Sequence, residues 1–224
     1  MLTALEKIAK EAEGLGDDLV GLVLFGSAAR GGHVPGRSDI NLLVVLARPE
    51  AAQAPACAAI LRRWIRRDRA RVLPMTDGEV RASVDVFPVE FGDMLSGYRV
   101  LAGRDPLAGL SPNDRNLRHQ LEFEFRSKAL GLRALLVDPP TGWFGVRDAL
   151  AATVRRHAVS LVHLLRALRR LPGGETAAVA GWLAEAENIR DDHAAGRARL
   201  KEHLASLHAL AWRAAELVNG LEAK

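Results

Sequence analysis

Cysteine is nearly absent: Cys57 is the only one in 224 residues, so no intrachain disulfide and no thiolate metal cluster can form. A reducing, cytoplasmic setting is the expectation. Long apolar runs are missing too. None approaches the roughly 20 residues needed to cross a bilayer, and the opening MLTALEKIAKEAEGL mixes acids and bases where a secretory leader would be apolar. No membrane partner is expected. Lysine is scarce, with only five of the 31 basic side chains and arginine supplying the rest. That ratio, beside so much Ala, Leu and Gly, is what GC-rich codon usage produces. The isoelectric point near 9.7 is therefore no nucleic-acid footprint by itself, although nucleic acid is not excluded. Repeats and low-complexity tracts are also lacking.

The chain is 49% apolar and 26% charged, with a mean hydropathy of +0.01, which is the composition of a globular protein with room for one large or two small domains. Its excess charge is lopsided. Residues 1–112 hold 14 basic and 14 acidic side chains, whereas 113–224 hold 17 and 13. The net charge of +4 belongs entirely to the second half.

Texture divides the chain at the same place, near Pro112. Before it, Ala4, Leu5, Ile8 and Ala9 form a helical stripe, and Leu19–Phe25 is an apolar strand stopped by Gly26. A loop rich in Gly, Pro, Arg and Ser follows. Asp39–Leu46 is a second strand, Pro49 opens an Ala-rich helical stretch to about Arg69, and Val80–Phe91 reads as a third extended segment. This order predicts an α/β (α+β) domain over 1–112. After Pro112 strand signals vanish. Helical stretches at Asn113–Val137, Phe144–Leu171, Glu175–Asn188 and Ala195–Asn219 predict an all-α four-helix bundle over 113–224.

The chemistry-bearing stretch is LVLFGSAARGGHVPGRSDINLLVVL, residues 22–46. One strand ends in Gly26-Ser27, eleven residues intervene, and the next strand opens with Asp39-Ile40-Asn41. Glycine lets the backbone turn and approach a phosphate closely, and a serine hydroxyl with free N–H groups can donate to it. Residues two apart on a strand share a face, so Asp39 and Asn41 point together. Asp85, in SVDVFPVEF, sits among valines in the third extended run. Acidic groups converging beside such a turn suit Mg²⁺ and a nucleoside triphosphate. Singly, each residue has a plainer reading: a strand-ending turn, a loop charge at Arg30, a strand-start acid, a polar group at a sheet edge. The spacing of Gly26-Ser27 from Asp39 favours phosphate binding.

These residues resemble the polymerase-β-type nucleotidyltransferases, and among them the small bacterial members that include the aminoglycoside nucleotidyltransferases. The likeness rests on Gly26-Ser27, Arg30-Gly31, Asp39-x-Asn41 and Asp85, and it covers about residues 1–110. The helical half resembles the acceptor-binding part of the antibiotic-modifying members. The resemblance implies a nucleotidyltransferase domain followed by a helical bundle. It implies transfer of a nucleoside monophosphate from an NTP, ATP first, to an unidentified acceptor. It also implies Mg²⁺ held by Asp39, Asn41 and Asp85, with Gly26 and Ser27 on the phosphates, Arg30 neutralising charge, and a homodimer left open.

One position departs from the pattern. The family's second aspartate is Asn41 here, whose amide oxygen can ligate a metal but brings no charge, whereas Mg²⁺ prefers anionic oxygen. Two readings follow: a weakened or single-metal enzyme, with Glu90 or Asp93 compensating, or a catalytically inactive module that binds nucleotide or a partner.

Other features have two readings each. The arginines at 62, 63, 66, 67, 69 and 71 form the solvated face of a helix or an anion site. The stretch from Ala149 to Gly174 has no acid and carries Arg155, Arg156, Arg166, Arg169 and Arg170. It would suit an anionic acceptor and would not suit a cationic aminoglycoside. Glu122 and Glu124 are candidate general bases, against i,i+4 pairing of Glu122 with Arg118 or Arg126. His157 lies on an apolar stripe and reads as a hydrogen-bonded core residue. Arg197 and His203 have the spacing found in helical ribonucleases, which chance also produces.

Overall fold

The computed structural model describes residues 3–31, 40–139 and 146–221. The chain forms two compact units, Met1–Pro112 and Asn113–Lys224, with an α/β sheet in the first and helices in the second.

The first unit opens with α1 (Ala4–Ala12), started by a capping box. The Thr3 hydroxyl accepts from the Glu6 N–H at 3.3 Å, and the Glu6 carboxylate accepts from the Thr3 N–H at 2.6 Å. Then come β1 (Leu19–Phe25), β2 (Ile40–Leu46), α2 (Pro55–Arg67), β3 (Ala70–Thr76), α3 (Asp77–Ser83), α4 (Pro88–Leu95) and β4 (Tyr98–Gly103). The strands form one sheet in the order β3-β2-β1-β4. β1 runs antiparallel to β2 and to β4, and β2 runs parallel to β3.

β2 is apolar at nearly every position because both of its faces are covered. Ile40, Leu42, Val44 and Leu46 pack with Ile8, Ala12, Leu61 and Trp64 of α1 and α2. Leu43 and Val45 pack on the opposite side with Val80, Val84, Phe91 and Met94. The α2 arginines divide in their roles. Trp64 is fully buried, and its indole N–H donates to Glu11 at 2.9 Å. Arg67 donates to both Glu11 oxygens at 2.7 and 3.1 Å and pairs with Asp68 at 2.7 Å. Arg63 stands 3.5 Å from Glu11. Arg67 thus holds the Glu11 carboxyl below its ordinary range, against the opposing effect of partial burial.

The expected third strand over Val80–Phe91 is a correction. Residues 77–83 and 88–95 are helical, and Asp85 lies exposed in the turn between α3 and α4. Val80 and Val84 are buried one helical turn apart, while Val86 is 60% exposed. The local signals for this were a Thr76–Glu79 capping box and Pro88 in the first turn of α4. The strands that complete the sheet are instead β3 and β4.

The second unit contains α5 (Asp114–Val137), α6 (Val146–Leu168), α7 (Ala177–Asp191) and α8 (Arg197–Gly220), and no strand among its described residues. α5 and α8 run antiparallel: Arg118 donates to the Val218 carbonyl at 3.3 Å, Arg126 pairs with Glu216 at 3.3 Å, and Arg133 lies 5.3 Å from the Trp212 ring centroid. Arg166 pairs with Glu187 to tie α6 to α7. Leu121, Phe125, Leu132, Leu161, Leu165, Leu207 and Ala211 are fully buried between the helices, as the 3.6-residue stripe requires. Among the described residues, no helix is long and apolar enough to cross a membrane.

Candidate nucleotide-binding site

β1 ends at Phe25, and Gly26 turns the chain with φ +77°, a region that L side chains enter at a cost. Its carbonyl accepts from the N–H groups of Ala29 and Arg30 at 3.2 and 3.3 Å. The next residues therefore coil into one tight turn, in which Ser27 is exposed. Gly26 meets a second constraint from β2. A Cβ placed on it would lie 2.9 Å from the Asn41 side-chain nitrogen, so the amide rests on bare backbone. Asn41 pairs with Phe25 across the two strands. Glycine and asparagine are thus one unit: the turn exists in this form because its neighbour on β2 reaches over it.

The sheet register extends this unit into a row. Arg71 of β3 is level with Asn41, Asn41 with Phe25, and Phe25 with Tyr98 of β4. The Tyr98 hydroxyl donates to Asp105 at 2.8 Å, and that carboxylate raises the phenol's pKa. On the other face, directly behind the turn, lies a cavity of about 880 Å³ lined by Leu5, Ala9, Ala28, Ile40, Arg99 and Leu101.

Of the residues singled out from the sequence, Gly26, Ser27 and Asn41 meet at this edge, whereas Asp39 lies outside the described residues. Arg30 is already engaged, donating to the Ser96 hydroxyl at 3.2 Å and standing 3.5 Å from the Asp93 carboxylate. Its stem covers Gly97, where a Cβ would come within 2.7 Å of Arg30 Cγ. Arg30 thus clips the turn to the end of α4, and Asp93 is its counter-ion. Glu90 is exposed in the first turn of α4. Asp85 is not on a strand at all. The strand beside β2 is β3, with the sequence ARVLPMT, and it brings Arg71 level with Asn41.

The donor set bears on Mg²⁺. A two-ion centre needs several anionic oxygens around it. Among the described residues, no three His, Cys, Asp or Glu side chains form a metal-holding group, and the row beside the turn carries an amide and a guanidinium. The carboxylate of Asp39, two residues before Asn41, lies outside the described residues.

The candidates in the second unit resolve differently. Glu122 pairs with Arg118 at 3.3 Å and Arg126 at 3.1 Å, one helical turn to either side. His157 is half-buried, and burial followed by Lys128 and Arg156 lowers its pKa. Among the described residues it has no hydrogen-bond partner. His203 bonds Asp192 at 3.0 Å, and Arg199 pairs with the same carboxylate oxygen at 2.7 Å. Arg71, weighed from the sequence only within an arginine cluster, lies on β3 level with Asn41. Recognising β3 as a strand would have revealed it.

A mixed four-stranded sheet with a glycine turn after β1, against a polar side chain on β2, defines an α/β domain. Residues 4–89 match the family model described as nucleotidyltransferase domain. The first unit therefore carries a nucleotidyltransferase domain, consistent with the polymerase-β-type superfamily. No curated protein matches the chain.

Proposed function

We propose that the first unit binds a nucleoside triphosphate, ATP first among them, at the Gly26–Ser27 turn and transfers its nucleoside monophosphate to an acceptor. In that reaction an acceptor oxygen bonds to the α-phosphorus, the bond to the bridging oxygen breaks, and pyrophosphate leaves with the electron pair. The observation that carries this reading is the Gly26–Asn41 unit inside a matched nucleotidyltransferase domain. Gly26 turns the chain at φ +77°, and Ser27, the next residue of that turn, is exposed. Ser27 supplies a hydroxyl to the phosphates. Asp39 supplies a carboxylate two residues before Asn41. Nucleotidyltransferase domains generally use divalent metals, and Asp39 with Asn41 is the part of the expected Mg²⁺ set that the sequence keeps together.

A second reading is a nucleotide-binding module with little or no transfer. Arg71, level with Asn41, favours it, because a guanidinium there opposes a cation and attracts a phosphate. Pyrophosphate release from ATP with Mg²⁺ or Mn²⁺, and ATP binding by calorimetry, separate the two. Release by the native protein that falls at least about tenfold in Ser27→Ala supports transfer. A silent native protein that binds ATP, with release appearing in Asn41→Asp, supports the binding module. Absence of ATP binding removes both.

A further inference from the structure

The acid-free arginine stretch of the second unit is not uniform once folded. Arg166 is paired with Glu187 and Arg169 with Glu175, and Arg170 is also engaged. Arg155 and Arg156 differ, since among the described residues neither forms an ion pair. Both line a cavity of about 730 Å³ between α6, the end of α7 and the start of α8. Arg190 reaches the same cavity, as do Asp192 and His193. The cavity sits wholly within the second unit.

Its charges are strongly one-sided. Arg190 is matched by Asp191 at 2.7 Å, and Asp192 by Arg199 at 2.7 Å and His203 at 3.0 Å. Those pairs cancel, and Arg155, which also helps to hold Asp191 ionised from a distance, and Arg156 add positive charge without an ion pair among the described residues. The same pairings hold both aspartates ionised: Arg190 chiefly lowers the pKa of Asp191, and His203 chiefly that of Asp192. The remaining wall is apolar, with Ile189 and Leu200 6% and 2% exposed. The volume falls within the roughly 300–1,000 Å³ of small-molecule sites. An apolar wall beside two guanidiniums that form no ion pair among the described residues suits a ligand with an organic body and a compact dianionic head. Phosphate matches guanidinium geometry, with two N–H groups meeting two oxygens.

We propose that this cavity binds a phosphorylated small molecule, with the phosphate on Arg155 and Arg156 and the organic part against Ile189 and Leu200. The site does not depend on nucleotide chemistry in the first unit. A free inorganic phosphate leaves the apolar wall bare, and a polyanion such as RNA gains little from an apolar wall.

The test uses the full chain and phenyl phosphate, a probe with no nucleoside for the first unit to recognise. Titration is followed by calorimetry and by the phosphorus NMR line width, with phenol and inorganic phosphate as controls. The expected result is binding of phenyl phosphate but not phenol, with inorganic phosphate at least about tenfold weaker. Arg155→Gln with Arg156→Gln should weaken phenyl phosphate by about tenfold or more, while Ser27→Ala leaves it unchanged. Circular dichroism and a matched melting curve establish that the double variant is folded. Lack of binding at about 10 mM probe overturns the proposal, as does equal binding by inorganic phosphate or indifference to the double substitution. Tighter arginine-dependent binding of an RNA oligonucleotide lacking terminal phosphate would overturn it in favour of a nucleic-acid surface.

Discussion

Two arginine-rich segments, one in each unit, show how little a charge count says before folding. On α2, Arg63 and Arg67 turn onto Glu11, with Arg67 also on Asp68, around the buried indole of Trp64. On α6 and the turn after it, Arg166 and Arg169 are paired, while Arg155 and Arg156 line a cavity and form no ion pair among the described residues. α2 thus uses Arg63 and Arg67 to fasten a scaffold, and the proposed phosphate turn of its sheet rests on backbone shape at Gly26. α6 leaves part of its arginine unspent, and the cavity there relies on charge. Substitutions in the two units should therefore differ in kind: geometric and insensitive to salt at the sheet edge, electrostatic and screened by salt in the bundle.

The largest expected effect tests the fastening on α2. Trp64→Ala removes a fully buried indole and leaves Glu11 without one of its donors. It should cost about 3–5 kcal/mol, read as a lower urea midpoint. A loss below about 1 kcal/mol would mean that α2 is held by its surface ion pairs instead.

Gly26→Ala ranks next. The backbone at φ +77° costs a side chain about 1–2 kcal/mol, and the new Cβ displaces Asn41. Stability should fall by about that amount, and ATP affinity should fall by about tenfold or more, with little change between low and high salt. An unchanged affinity would detach phosphate binding from this turn.

What could be read from the sequence follows the same division between geometry and partnership. β1 and β2 were legible because continuous apolar runs bounded by glycine or polar residues have few other uses in a short α/β chain. The four long helices were legible from their stripes. β3 was not, because ARVLPMT carries an arginine and a proline. Only as an edge strand, with one side unpaired, does it tolerate Pro74. α3 and α4 were misread because Val84, Val86 and Val89 suggest alternation, while the burial that matters joins Val80 to Val84. The Gly26–Ser27 turn and Asn41 stand out locally. That Arg71, rather than an acid, comes level with Asn41 follows from strand pairing, which local pattern does not encode. The same limit kept Arg155 and Arg156 from being separated from their neighbours, since their distinction lies in the partners they lack.

A smaller effect measures how much the α2 clamp owes to charge. Glu11→Gln keeps the shape and removes the anion that accepts from Arg67 and Trp64. With Arg67 39% exposed, solvent screens the pair, and the expected loss at neutral pH is about 1–2 kcal/mol. The folded carboxyl sits below its ordinary value of 4.5. Its contribution is therefore complete above that value and is lost as pH falls through the lowered folded value. Unfolding midpoints of native protein and Glu11→Gln should converge in that acid window. Curves that stay parallel to low pH would assign the loss to packing.

The smallest effects set the paired and unpaired arginines of the second unit against each other. Arg166→Gln breaks an exposed pair with Glu187 and should cost about 0.2–1 kcal/mol, less as salt is added. Arg155→Gln with Arg156→Gln breaks no ion pair among the described residues and relieves repulsion between Arg155 and Arg156 beside one cavity, against a weak attraction of Arg155 for Asp191. Its effect on stability should lie within about 0.5 kcal/mol of zero and lean towards stabilisation at low salt. The two variants should therefore shift the urea midpoint in opposite directions at low ionic strength and approach each other at high. If both destabilise equally and with the same salt slope, Arg155 and Arg156 are fastened like the rest, and the contrast between the two segments disappears.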